Sequence, residues 1–108
     1  MQRNWELIRT ILLRLEQQSE AAGEVYGDVF PHFDAETVAY HMQLMKDAGL
    51  IRAVCTTYLD GKMTCVAQTL TWGGHELLDK IRNEGVWNQI KTTIKSKGLD
   101  LSIDAMLQ

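Results

Sequence analysis

The stretch that most constrains this chain runs from Glu36 to Ile51, Glu-Thr-Val-Ala-Tyr-His-Met-Gln-Leu-Met-Lys-Asp-Ala-Gly-Leu-Ile. Its apolar positions Val38, Met42, Met45 and Ala48 keep the i, i+4, i+7 spacing of one buried helix face, which predicts a helix over 35–48. Gly49 supplies a left-handed stop, and Leu50-Ile51 lead out into a strand. Asp34 is placed to cap the other end by accepting from free backbone N–H groups.

The segment Arg52 to Leu70 reads as a hairpin turning at Asp60-Gly61, a two-residue turn signal whose central positions need positive φ. That turn sets Leu59 opposite Lys62, Tyr58 opposite Met63, Cys55 opposite Val66 and Thr56 opposite Cys65. The two cysteines would then lie on opposite faces of the ribbon and be small apolar residues of a sheet rather than a disulfide.

Before this unit, Asn4 to Gln18 reads as a helix capped by Asn4. Trp5, Ile8, Leu12 and Leu15 form its stripe, and Leu7, Ile11 and Leu13 widen it, as in a helix covered on more than one side. Arg3, Arg9 and Arg14 fall near its polar side. From Ser19 to Phe33 no helical period is visible. The stretch holds Gly23, Gly27 and the single proline, Pro31, and Val25-Phe30 can supply a short strand. After the hairpin, Thr71 caps a helix from about Trp72 to Glu84 that ends at Gly85. Leu78 and Ile81 face the core, and Gly74 allows close backbone approach. Val86 to Lys97 gives a further helix with Trp87, Ile90 and Ile94 on one side and Gly98 at its end. A last turn capped by Ser102 is expected within Leu99–Gln108.

At 108 residues with 45% hydrophobic and 23% charged positions, one domain over 1–108 with a modest core is expected. The first residues lack a signal-peptide layout, and no apolar run approaches the roughly 20 residues of a membrane span. The expected compartment is the cytoplasm, where Cys55 and Cys65 would be free thiols. A formal net charge of −3 is no strongly basic footprint for nucleic acid.

Val38-Ala39-Tyr40-His41-Met42-Gln43-Leu44-Met45 followed by Asp47-Ala48-Gly49-Leu50-Ile51 resembles the recognition-helix pattern of arsenic-repressor-type winged-helix regulators. Leu70-Thr71-x-x-Gly74-x-x-x-Leu78 is similar to the way winged-helix domains re-enter a helix after the wing. A closer resemblance spans nearly the whole chain. It rests on Asn4-Trp5-Glu6-Leu7-Ile8-Arg9, Tyr40-His41, Ala48-Gly49-Leu50-Ile51, Leu70-Thr71-Trp72-x-Gly74-His75-Glu76-Leu77-Leu78-Asp79 and Trp87-Asn88. These resemble a family of small bacterial and prophage proteins known as domain of unknown function 2513, which brings no established activity. The resemblances imply an α+β, winged helix-turn-helix-like fold, its helices packed with a two- or three-stranded antiparallel wing.

In that geometry the outer face of the 35–48 helix meets DNA. Gln43 can pair with adenine and Thr37 can touch a thymine methyl or a phosphate. The Tyr40 hydroxyl can bond phosphate, with His41 and Lys46 on the same helix and Lys62 at the wing tip. Arg52, Lys91, Lys95 and Lys97 are further cation sources. Against this stand Asp34, Glu36 and Asp47 beside Lys46 alone, and a histidine placed like His41, mid-helix beside Tyr40, is more often a structural hydrogen-bonder than a ligand. His75 and Asp79 lack the second histidine of a zinc-protease helix, and no short-spaced ligand pair appears. No enzyme constellation, metal site, cofactor, small-molecule ligand or membrane association is expected. Trp5, Trp72 and Trp87 should fill the core, unless Trp72 or Trp87 anchors a partner. Two functions stay open: a DNA-binding or regulator-like module, or a protein-interaction module of the same shape that binds a partner or a second copy.

Overall fold

The computed structural model describes residues 1–18 and 23–96. The elements are α1 (Trp5–Glu16), β1 (Val25–Tyr26), a turn of 3-10 helix at Gly27–Val29, α2 (Ala35–Asp47), β2 (Ile51–Thr57), β3 (Met63–Leu70), α3 (Trp72–Ile81) and α4 (Glu84–Ser96). The described residues thus form an α+β fold of four α-helices and a three-stranded antiparallel sheet in the order β1-β3-β2. The expected turn within Leu99–Gln108, Gly98 as a stop and Lys97 lie outside the described residues, as do the side chains of Ile94 and Lys95.

The caps form as their chemistry dictates. Asn4 accepts from the backbone N–H of Glu6 and Leu7, and Asp34 accepts from that of Thr37. Gly49 ends α2 with φ +77°, where a side chain would be strained. Val38, Met42 and Met45 are buried as the spacing requires, whereas Ala48 is exposed. The broad arc of α1 buries Leu7, Ile8, Ile11, Leu12 and Leu15 against α2, β3 and α3.

The hairpin departs from the expected register. Asp60 keeps negative φ and only Gly61 is left-handed, at +87°. Tyr58 N–H donates to Lys62 O (2.8 Å) and Gly61 N–H to Tyr58 O (2.9 Å), so three residues, Leu59 to Gly61, make the loop. This is a type I-like turn closed by a left-handed glycine rather than a two-residue turn. The extra residue slides the strands by one. Cys55 therefore stands opposite Cys65, Val54 opposite Val66, Thr56 opposite Thr64 and Thr57 opposite Met63. The expectation of free thiols on opposite faces is overturned: Cys55 and Cys65 form a disulfide. Further along, an irregularity between Arg52 and Ala53 leaves Gln68 unpaired and restores the original offset, pairing Ile51 with Leu70.

At the far end of the hairpin, Thr71 N–H donates to Leu50 O (3.0 Å) and Thr71 Oγ1 to Gly49 O (2.5 Å). Thr71 Oγ1 also accepts from Gly74 N–H, capping α3. A Cβ on Gly74 would sit 2.0 Å from Leu50 O. The third helix ends at Ile81, not Glu84, and Gly85 lies inside α4 instead of stopping α3. Asn83 explains the restart, because its Oδ1 accepts from Val86 N–H as a helix cap does. Trp87 is buried and Trp5 packs on the core, but Trp72 is 80% exposed, its indole N–H turned to Glu76 rather than inward.

Gly74→Ala is expected to destabilise the fold by about 2–3 kcal/mol, the usual cost of forcing a methyl into a filled space, read as a lowered urea midpoint. Opening the 55–65 disulfide releases a loop of sequence separation 10. Loop entropy alone predicts a loss of about 3 kcal/mol, measured by urea titration with and without reductant.

Candidate functional site

The surface that was expected to read DNA is largely committed to the protein's own bonds. His41 is fully buried; its Nε2 accepts from Asn4 N–H at 2.8 Å, and Nδ1 lies 2.8 Å from Thr37 O. That pattern fixes the proton on Nδ1 and ties the start of α1 to α2. His41 is therefore a structural hydrogen-bonder, and its candidacy for DNA contact is corrected. Thr37 Oγ1 donates to Asp34 Oδ2 at 2.8 Å. Gln43 Nε2 donates to Asp47 Oδ1 at 2.9 Å. Tyr40 is half-buried and meets the His41 ring edge-on, with centroids 5.7 Å apart.

Lys46 and Lys62 are exposed, but they do not share a patch. Lys62 lies at the N-terminal end of α2, in a groove it lines with Asp34, Ala35 and Glu36. Lys46 is at the other end, about 16 Å along the helix axis by helical rise. Other cations serve the scaffold. Arg9 donates to Ile81 O and Arg82 O (2.8 Å each), closing the end of α3. Arg82 pairs with Glu16 and Asp79, and Lys91 pairs with Glu6. Partial burial pushes the Glu6 carboxyl up. The hydrogen bonds from Lys91 and Trp87 outweigh that, and the net shift is downward. His75 is exposed, and among the described residues no group of three metal-ligating side chains converges.

The groove at the start of α2 encloses about 830 Å³. It forms because β1 is only two residues long, pairing Val25 with Ala67 and Tyr26 with Val66. The chain then leaves the sheet through the 3-10 turn and crosses to α2, and the hairpin runs on unaccompanied. One wall carries Asp28, Asp34 and Glu36; the other carries Tyr58, Lys62 and Met63. The lining thus holds three acidic residues and one lysine. The Thr37 backbone N–H and hydroxyl hold the Asp34 carboxyl below its usual value of 3.8, so it stays charged near neutrality. Tyr26 and Tyr58 expose half their surface at the rim. Sequence reading singled out Lys62 and the helix face but not Tyr26, Asp28, Tyr58 or Met63. These meet only through the early end of β1 and the three-residue loop. The Val25–Phe30 strand candidate, which carries Tyr26 and Asp28, was the available signal.

Comparison with known proteins finds a family model described as "Hypothetical protein (DUF2513)" matching residues 2–100. An "Uncharacterized protein" of Haemophilus influenzae is 60% identical over 108 residues, covering 100% of this chain and 91% of the relative. No solved structure matches.

Asp34→Asn keeps a capping oxygen and removes the charge. The folded Asp34 titrates below its unfolded value, so its contribution is present above that value and is lost as pH falls through the folded one. Wild type should therefore be the more stable near pH 7, with the gap narrowing as the pH is taken below the usual carboxylate value of 3.8, in urea midpoints measured across that range.

Proposed function

The chain belongs to the DUF2513 family of hypothetical proteins, and we propose that it is a winged-helix-shaped protein-interaction module that does not read DNA. The order α1, β1, 3-10 turn, α2, β2, β3 with the sheet order β1-β3-β2 supports the winged-helix assignment. On that assignment the 3-10 turn takes the part of the supporting helix of a helix-turn-helix, and α2 that of the recognition helix.

The observation that carries the functional reading is the charge at the N-terminal half of α2. That is the part of a recognition helix that approaches base edges, and here Asp28, Asp34 and Glu36 line it against Lys62 alone. Phosphate neutralisation supplies most of a protein's general affinity for DNA, and a carboxylate-lined approach repels the backbone instead. Thr37, His41 and Gln43 add to this, because their polar groups are already bonded internally. The same groove is concave, partly apolar and rimmed by tyrosines, which suits a protein partner.

The module binds rather than catalyses, and its expected compartment is the cytoplasm. Among the described residues no helix is long and apolar enough to cross a membrane. In a reducing compartment a thiol reductant would open the disulfide that the structure holds. Cys65 Sγ, 3.2 Å from Ala39 O, then gains a proton to donate to it.

The test is retardation of duplex DNA at low salt. Wild type should not retard DNA, and Lys62→Ala should change nothing. The double variant D28K/E36K should acquire salt-sensitive DNA retention. Retardation by wild type that weakens steeply with added salt would overturn the reading.

A further inference from the structure

Antiparallel ladders alternate between pairs that exchange backbone bonds and pairs that do not. Tyr58 N–H donates to Lys62 O, so that pair is bonded. By alternation Thr57–Met63 is unbonded, Thr56–Thr64 bonded and Cys55–Cys65 unbonded. The Cα separation of 4.1 Å between the cysteines fits the narrow, unbonded type. Met63 therefore turns its backbone N–H and C=O away from β2, toward the side on which β1 runs. But β1 stops at Tyr26, opposite Val66, three positions short of Met63. Cys65, closer to β1, is 3% exposed, whereas Met63 is only half-buried and lines the groove. Met63 is thus a residue of β3 whose main-chain groups turn toward the groove with no β1 residue opposite it.

We infer that this groove docks an extended, arginine- or lysine-bearing segment of a partner protein, which continues the line of β1 and exchanges backbone hydrogen bonds with Met63. This inference rests on the interaction-module reading and names its partner. Strand addition supplies main-chain bonds and leaves alternate side chains to confer specificity. Apolar residues of the segment lie along Tyr26 and Met63, and its cations meet Asp28, Asp34 and Glu36. Excess carboxylate selects a basic occupant and rejects an acidic one. The edge is also guarded against self-pairing. It is short, and Lys62 beside it discourages pairing with a like edge.

The probe is a fluorescein-labelled octapeptide of alternating arginine and valine, followed by fluorescence anisotropy. Wild type should bind it and lose at least tenfold in affinity in moderate salt. Replacing arginine by glutamate should abolish binding. In a scan of singly N-methylated peptides, which keep charge but delete one backbone donor, at least one should lose tenfold. The variant D28K/E36K, whose exposed positions cap no helix, should lose tenfold, and the Met63 amide proton should become protected from exchange on peptide addition. Equal binding of the glutamate peptide, or indifference to every N-methyl group, overturns the inference. A wild-type chain that retards DNA takes down both readings. A chain that leaves DNA alone and also ignores the arginine peptide takes down this one only.

Discussion

The backbone carbonyl of Leu50 is the point on which the two halves of the molecule depend. It accepts from Thr71 N–H, and it lies so close over Gly74 that no side chain fits there. One contact therefore fixes the end of α2, the start of β2, the end of β3 and the start of α3. The hairpin ladder begins immediately beside it with Ile51 opposite Leu70. Thr71 serves both sides: its hydroxyl donates to Gly49 O and accepts from Gly74 N–H. The crossing buries Leu50, Ile51 and Leu70 in one core with Leu77, Leu78 and Ile81 of α3. The position of α2 relative to the sheet, and hence the groove between them, follows from that junction.

A second tie sets the opposite side of α2. His41 is the only buried polar or charged residue among those described, and its two ring nitrogens serve different helices. A buried imidazole without partners would cost several kcal/mol; here Asn4 N–H and Thr37 O satisfy it. Asn4 thereby caps α1 with its side chain while its own N–H is held by α2. The helix expected to face outward toward a ligand is in this way locked by its polar residues as well as by Val38, Met42 and Met45.

Much of this was legible in the sequence, and the losses have specific causes. Local signals held wherever one residue type has one physical use. Asn4, Asp34 and Thr71 cap, Gly49 is left-handed, and Gly74 sits beneath a crossing backbone. The hairpin itself was legible; its register was not. Asp-Gly fits a two-residue turn and also the end of a three-residue loop, and the pattern of Arg52–Leu70 does not separate them. That single residue decided whether the cysteines meet. Gly85 misled because its neighbour Asn83 restarts a helix at once. Trp72 misled because size was read as burial, although Trp72 begins a helix whose buried face is Gly74, Leu77, Leu78 and Ile81. The groove was out of reach because its two walls lie some thirty residues apart in sequence. They meet only where β1 ends.

The bulge at Gln68 has a bearing on how such chains can diverge. Its carbonyl accepts from the Gln18 side chain at 2.9 Å, just beyond the end of α1, while Val25 is held to Ala67 next to it. Both ends of the intervening connection are thus pinned to neighbouring positions on β3. The entropic penalty for lengthening a connection whose ends are already held close grows only logarithmically with its length. A change of length between Gln18 and Val25 therefore leaves both anchor points on β3 where they are.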